Sequence, residues 1–423
     1  MTHFGLICPA TTGHLNTMLP LGNELQQRGH QVTFMGQLDT ESKVKAAGLG
    51  FRAIGEADFP LGSMADFLTQ LGQLRDREAL AYTIEFLVKG ATMRFRDIPA
   101  VIQSAGIEAL LVDQVTSDGG TIAEHVGIPF VSICSAIVLH REPCIPPYVT
   151  HWHYAPSWWG RLRNRIGYKA FDRAVQPITT VINEHRQRWN LPALASPNDR
   201  HSQLAQISQQ PAELEFPRET LPSCLHFTGP YHTSIGREIP DFPYEQLTGK
   251  PIIYASLGTI QNRLIGIFQQ IAEACADLDA QLVISLGGSA KPDALPSLAG
   301  APLVVEYAPQ LELLKQATLT ITHGGMNTVL ECLNNGVPMV AIPIANDQPG
   351  VAARVVWTGC GEALPVKQVS VTKLKKAISQ VWTDAAYKEN AMRLQASIQQ
   401  AGGVKRAIDI VEQVIATGEP VLA

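Results

Sequence analysis

The stretch "LTITHGGMNTVLE", residues 319–331, changes character in its middle. Leu319 to Ile321 is short, apolar and β-branched, the pattern of a buried strand. Met326 to Leu333 carries the apolar spacing of a helix. Between them lie Gly324 and Gly325, whose missing side chains let another group come close to the backbone. A strand, a glycine turn and a helix N-terminus together make a ready seat for an anion. Thr328-Val329-Leu330-Glu331 also matches a Ser/Thr-x-x-Glu capping box, which would do no more than start a helix, and from the fragment alone both possibilities stand.

The surrounding chain narrows the choice. At 423 residues it is too long for one comfortable core, and two domains are expected. Composition is that of an ordinary globular protein, 45% hydrophobic and 17% charged with net charge −5, which speaks against a nucleic-acid binder. The seven cysteines are scattered and never spaced as C-x-x-C, so a reducing compartment is expected, with neither a disulfide framework nor a zinc site. "MTHFGLICPATTGH" (1–14) lacks the basic start and long apolar run of a signal peptide. The best apolar run, Ile128 to Leu139, is broken by Pro129 and two serines and falls short of the ~20 residues that span a bilayer. A cytoplasmic location follows as the expectation.

Strand-like and helix-like segments alternate through the first half: strands at Phe4 to Cys8, 31–36, 51–55, 109–113 and 129–134, with helices at about 14–28 and 40–47. A Pro-rich passage, "TSIGREIPDFPYEQLTGKP" (233–251), reads as a linker. The rhythm then restarts, with strands at 252–258, 281–287, 302–307, 319–322 and 338–343 and a helix near 264–276. Helices close the chain at about 371–382, 386–400 and 404–417. Such alternation implies parallel sheets covered on both faces, here two doubly wound α/β domains facing a cleft. The segment 144–175 breaks the rhythm: it is dense in aromatics, with Trp152, Trp158 and Trp159 close together, and 157–171 carries four basic residues and no acid.

Few stretches carry chemistry. No G-x-G-x-x-G follows either opening strand and no P-loop occurs, which argues against dinucleotide and P-loop chemistry. His151-x-His153 has no evident third ligand and Asp277-x-Asp279 sits in a connection where solvated acids are ordinary, so no metal is expected. His14 begins the first helix just past the first strand, where the helix N-terminus should keep the imidazole neutral and able to accept a proton. Asp113 ends another strand at the same sheet edge, where it can hydrogen-bond one ring nitrogen and aim the other. Ser256-Leu257-Gly258-Thr259 ends the first strand of the second half, with hydroxyls and backbone N–H groups suited to a phosphate. Asp347-Gln348 ends "PMVAIPI" at the same edge and suits sugar hydroxyls.

Taken together, "YAPQLELLKQATLTITHGGMNTVLECLNNGVPMVAIPIANDQ" (307–348), the Gly13-His14 pair and "ASLGT" (255–259) resemble the family 1 glycosyltransferases, which use UDP-sugars and the two-domain GT-B fold. Within that family, "HREP" (140–143), "FPRETLP" (216–222), "DQPGVAAR" (347–354) and "EQVIATGEPVL" (412–422) are similar to the zeaxanthin glucosyltransferases. The resemblance implies two Rossmann-like domains, an acceptor domain over 1–232 and a donor domain over 252–400, with 401–423 bridging them. It implies that Tyr307 stacks on uracil, that Ala308 and Gln310 flank the base, and that Glu331 holds the ribose. His323, Gly325, Asn327 and Thr328 would seat the diphosphate with Ser256 and Thr259 close by, Asp347 and Gln348 would hold the hexose, and Gly13 would also belong to the donor site.

An inverting transfer is then expected, with His14 as base, Asp113 behind it, UDP-glucose as co-substrate and neither cofactor nor metal required. Met326 and Ala345 depart from the plant signature, which has tryptophan at both, so sugar selectivity does not carry over from plant enzymes. A lipophilic acceptor such as zeaxanthin is expected, with Trp152, Trp158 and Trp159 lining its pocket or 157–171 resting on a membrane surface. The opposing possibility for 144–175 is a helical hairpin whose aromatics pack inward. Phenolic, sterol or macrolide acceptors, a UDP-sugar epimerase and a non-catalytic nucleotide-sugar binder are the other functions these motifs accommodate.

Overall fold

The computed structural model describes residues 1–74, 76–232, 240–258, 264–288 and 290–423, the side chains of 76, 77 and 294 excepted. Seven strands, β1 (His3–Ile7), β2 (Gln31–Gly36), β3 (Gly50–Ala53), β4 (Ala109–Asp113), β5 (Phe130–Cys134), β6 (Gln206–Ser208) and β7 (Leu225–Phe227), form one sheet in the order β3-β2-β1-β4-β5-β6-β7. Six more, β8 (Ile252–Ser256), β9 (Gln281–Ser285), β10 (Leu303–Val305), β11 (Ala317–Thr322), β12 (Met339–Ala341) and β13 (Gly361–Ala363), form a second in the order β10-β9-β8-β11-β12-β13. Every pairing in both sheets is parallel.

Parallel strands need crossovers, and helices supply them. The first sheet is accompanied by α1 (Thr12–Gln27), α2 (Glu41–Ala46), α3 (Ser63–Leu71), α4 (Asp76–Ala105), α5 (Gly119–Val126) and α6 (Trp158–Arg188). The second has α7 (Ile265–Cys275), α8 (Gln310–Leu314), α9 (Met326–Asn334), α10 (Gln348–Trp357), α11 (Val371–Thr383) and α12 (Ala385–Gln400), while the last helix, α13 (Gly403–Thr417), lies on the first. Strand residues such as Phe4, Leu6 and Leu111 pack on one face of the first sheet with Leu15, Met18 and Leu25 of α1, while Ile7, Leu110 and Val112 pack on the other with α4 and α5. That two-sided burial is why these strands read as continuous apolar runs rather than alternating ones.

The order of each sheet reverses once, between β1 and β4 in the first and between β8 and β11 in the second. A crevice opens at such reversals outside the carboxyl ends of the strands. His14 follows β1 and Asp113 ends β4; Ser256 ends β8 and His323 follows β11. Four of the residues singled out above thus flank the two reversal points.

The chain end crosses back to the first sheet. Ala407, Ile408, Ile410, Val411 and Val414 of α13 are buried at helical spacing in the same cluster as α1. Arg28 of α1 meets Asp409 and Glu412 at 2.7 Å each, and the Val421 and Ala423 N–H groups donate to Leu204 and Ser223 carbonyls. Of the expected linker, 233–239 lies outside the described residues, and 240–251 holds only a short turn at Tyr244–Gln246. Asp277 and Asp279 form surface ion pairs with Lys375 and Lys250, as ordinary solvated acids do.

Candidate active site

Between the two sheets lies a cleft of about 1870 Å³ that takes in residues from both. On the first sheet's side, His14 occupies the third position of α1, so the helix begins two residues earlier than the sequence pattern suggests. Its Nδ1 lies 2.7 Å from Oδ2 of Asp113, which is fully buried. The other Asp113 oxygen accepts from the Val115 N–H at 2.9 Å, so the carboxylate is held at both ends. Burial works against protonating His14, yet the charge and hydrogen bond of Asp113, with Asp347 further off, raise its pKa above the ordinary 6.5. The helix N-terminus was expected to keep this imidazole neutral; the carboxylate at hydrogen-bond distance outweighs it.

On the second sheet's side, α9 starts at Met326 with Gly325 as its cap, and no side chain satisfies the cap position. The capping-box alternative is thereby set aside, since Thr328 and Glu331 lie inside the helix. The Gln310 amide donates to Glu331 and lies 3.4 Å from the Thr328 hydroxyl, while its oxygen accepts from Tyr254 at 3.1 Å. His323 is wedged between two glycines: a Cβ on Gly258 or on Gly325 would fall 2.7 or 2.5 Å from its Nε2. Burial lowers the His323 pKa to about 4, so the ring is neutral at physiological pH and can donate one N–H.

Tyr307 and Ala308 lie at the rim, and the Tyr307 hydroxyl presses on Gly288, whose φ of +76° and lack of a side chain admit it. Asp347 caps α10 after Asn346, which takes a left-handed φ of 56°. Burial raises the Asp347 pKa, against the opposing charge of His14. The Gln348 side-chain oxygen accepts from the Ile344 and Ala345 N–H groups at 2.8 and 3.0 Å, which leaves its NH₂ for the cleft. Thr259 lies outside the described residues.

The two sides touch. Asn327 of α9 donates to the Gly13 carbonyl at 2.7 Å, and its oxygen accepts from Gln209 at 2.8 Å. Gln209 also donates to the Ser135 carbonyl, and the Ser135 hydroxyl donates to Asp113 while lying 2.7 Å from His14 Nδ1. Sequence inspection missed Ser135 and Gln209. Both lie just past the carboxyl ends of strands β5 and β6, the position that singled out Asp113, so the same rule would have found them.

Trp152, Trp158 and Trp159 do not line the cleft. Trp158 and Trp159 are each 63% exposed and stack on one another at 3.6 Å, and Trp152 lies under the Arg163 guanidinium at 4.8 Å. They stand before and at the start of α6, whose inward face there is taken by the buried Gly160 and Asn164. The apolar wall comes instead from Met64, Phe67 and Leu71 of α3, Ile84 and Leu87 of α4, and Phe171 and Val175 of α6.

Comparison with known proteins places this geometry in context. The family described as UDP-glucoronosyl and UDP-glucosyl transferase matches residues 90–415. The zeaxanthin glucosyltransferase of Pantoea ananas is 34% identical over 425 residues, covering 100% of this chain and 98% of that protein. The zeaxanthin glucosyltransferase of Pseudescherichia vulneris is 32% identical over 424 residues, covering 100% of both. Among solved structures, the glycotransferase of kitacinnamycin superposes with a TM-score of 0.77 at 22% identity, covering 97% of this chain and 98% of that one, which supports the GT-B fold.

Proposed function

The chain belongs to family 1 of the glycosyltransferases, the UDP-glucoronosyl and UDP-glucosyl transferases, and from that premise we propose that it transfers glucose from UDP-glucose to a hydroxyl of a lipophilic acceptor such as zeaxanthin, with inversion. The observation that carries this is the meeting of the two sides: a His–carboxylate pair facing, across one cleft, a helix N-terminus with no side-chain cap. Asp113 accepts from His14 Nδ1–H, which leaves Nε2 to take the acceptor's proton. The acceptor oxygen then attacks the anomeric carbon as the bond to UDP breaks. The N-terminus of α9, with His323 and Thr328, stabilises the charge that grows on the leaving diphosphate. Tyr307 and Gln310 hold the base, Glu331 the ribose, and Asp347 with the Gln348 amide the hexose. The apolar wall of α3, α4 and α6, together with full-length similarity to two zeaxanthin glucosyltransferases, supports the acceptor class.

A UDP-release assay with UDP-glucose, with and without zeaxanthin in detergent and beside a panel of phenols and sterols, tests this. Zeaxanthin-dependent release with a glucosylated product by mass is the expected result. Release with another acceptor alone would remove the carotenoid and keep the transferase.

The pH dependence has a defined sign. His14 accepts a proton only when neutral, and its pKa in the free protein is raised, so kcat/KM should fall as pH drops through a midpoint above 6.5. Asp113→Asn removes the raising charge and leaves the burial, which moves that midpoint down. An unshifted midpoint in the variant would show that Asp113 does not act on the titrating group. Gly325→Ala probes the diphosphate seat. Its φ of −65° suits any residue, so the fold should hold, while the new Cβ displaces His323. Losing one hydrogen bond to a charged ligand should weaken UDP binding about tenfold or more by calorimetry. Unchanged affinity would remove His323 from the seat.

A further inference from the structure

The outward side of α6 is unlike the rest of the surface. Of the thirteen large apolar side chains exposed among the described residues, four fall within nine residues: Trp158 and Trp159 at 63%, Leu162 at 40% and Ile166 at 60%. A helical period of 3.6 puts Trp158, Leu162 and Ile166 on one face, with the Trp158–Trp159 stack forming a plate at its start. Continuing along that face come Arg165, Lys169 and Arg173, all exposed, with one acid among them, Asp172, which is paired with Arg141. Of the aromatics in 144–175, Tyr148, Tyr154 and Phe171 pack inward as the hairpin alternative expects, whereas Trp158 and Trp159 do not. Isolated exposed apolar residues need no explanation, but a contiguous stripe with a basic margin does.

We propose that this face of α6 docks the protein on an anionic bilayer surface. Tryptophan is suited to that depth because its ring is apolar and its N–H is polar, and arginine and lysine reach from apolar stems to lipid phosphates. Charge selects lipid over a second copy of the chain: two copies about a twofold axis would set Arg165, Lys169 and Arg173 against their own counterparts, and like charges opposed disfavour the contact. On roughly the opposite side of the same helix, Phe171, Val175 and Ile178 line the cleft. Docking would thus hold the acceptor wall one helix thickness, ~10 Å, from the lipid. The use of this arrangement rests on the lipophilic acceptor proposed above; the docking itself does not.

Flotation of the full chain with phosphatidylglycerol–phosphatidylcholine vesicles, against phosphatidylcholine alone, decides the matter. The protein should float with the anionic vesicles and be released by salt. Trp158→Glu/Trp159→Glu should reduce the bound fraction by about tenfold or more, and Arg165→Gln/Lys169→Gln by about tenfold. Both pairs lie outside the cleft, so UDP affinity and thermal unfolding should match wild type and show that the fold is intact. Absence of flotation, or variants that float like wild type, would overturn the proposal. So would a dimer in solution that Trp158→Glu/Trp159→Glu makes monomeric. Flotation without acceptor-dependent UDP release would sink the acceptor assignment and leave the docking; release without flotation would do the reverse.

Discussion

His14→Ala should lower kcat by about 10²–10⁴-fold, the usual contribution of a positioned base, while UDP affinity stays near wild type. The separation follows from the architecture. His14 stands on α1 beside the first sheet, whereas Tyr307, Gln310, His323, Thr328 and Glu331, proposed to hold UDP, stand on α8 and α9 and the loops before them, beside the second. The contact that joins them runs through the Gly13 carbonyl and Asn327, and a carbonyl is unaffected by a side-chain change one residue along. Truncation removes a ring that is only one-fifth exposed, and Asp113 keeps its bonds from Val115 and Ser135, so the fold should persist. His14→Gln, which can donate but cannot act as a base, should be as inactive. Single-turnover rates and UDP calorimetry on the same preparation would check both halves, and near-wild-type turnover in either variant would remove His14 as the base.

What could be read from the sequence, and what could not, divides by the range of the interaction. Strands such as Ala109–Asp113 and helices such as Val371–Thr383 carry their own period and appear close to where the pattern puts them. The seat around Gly325 was legible because a glycine turn between strand and helix is a local signal. The His14–Asp113 contact was reachable because the parallel rule sets the ends of β1 and β4 side by side. The apolar wall of the cleft was not legible. Whether Ile84 or Trp158 faces a cleft depends on how α4 and α6 lie on the first sheet, and aromatic density alone pointed to tryptophans that stand outside the cleft. The exposure of Trp158 and Trp159 is likewise a tertiary fact, which their helical spacing leaves open.

The second large effect concerns stability. Arg354 of α10 is buried and donates through Nε to Glu215 at 2.9 Å and again through Nη2, while its guanidinium lies 4.3 Å from the Phe216 ring centre. Glu215 also accepts from Gln210 and the Phe216 N–H at 2.9 Å and faces Arg218 at 3.4 Å, which in turn faces the buried Glu142 at 3.6 Å. Burial alone would raise the Glu215 pKa; Arg218 and Arg354 overcome it and hold the carboxyl below its ordinary 4.5. The stability it contributes is therefore present above pH 4.5 and is lost as pH falls through the lower folded value. Arg354→Met should destabilise the protein by about 3–5 kcal/mol, because it leaves a buried carboxylate with one cation fewer. Glu215→Gln/Arg354→Met removes both charges and should recover much of that loss, by denaturant unfolding in a double-mutant cycle.

The pair joins the segment after β6 to the helix that Asp347 caps and Gln348 begins, so the single variant should also raise KM for the UDP-sugar more than it lowers kcat. Full stability in Arg354→Met would mean that the surrounding apolar contacts, chiefly Phe216 and Trp357, hold α10 in place without the charge.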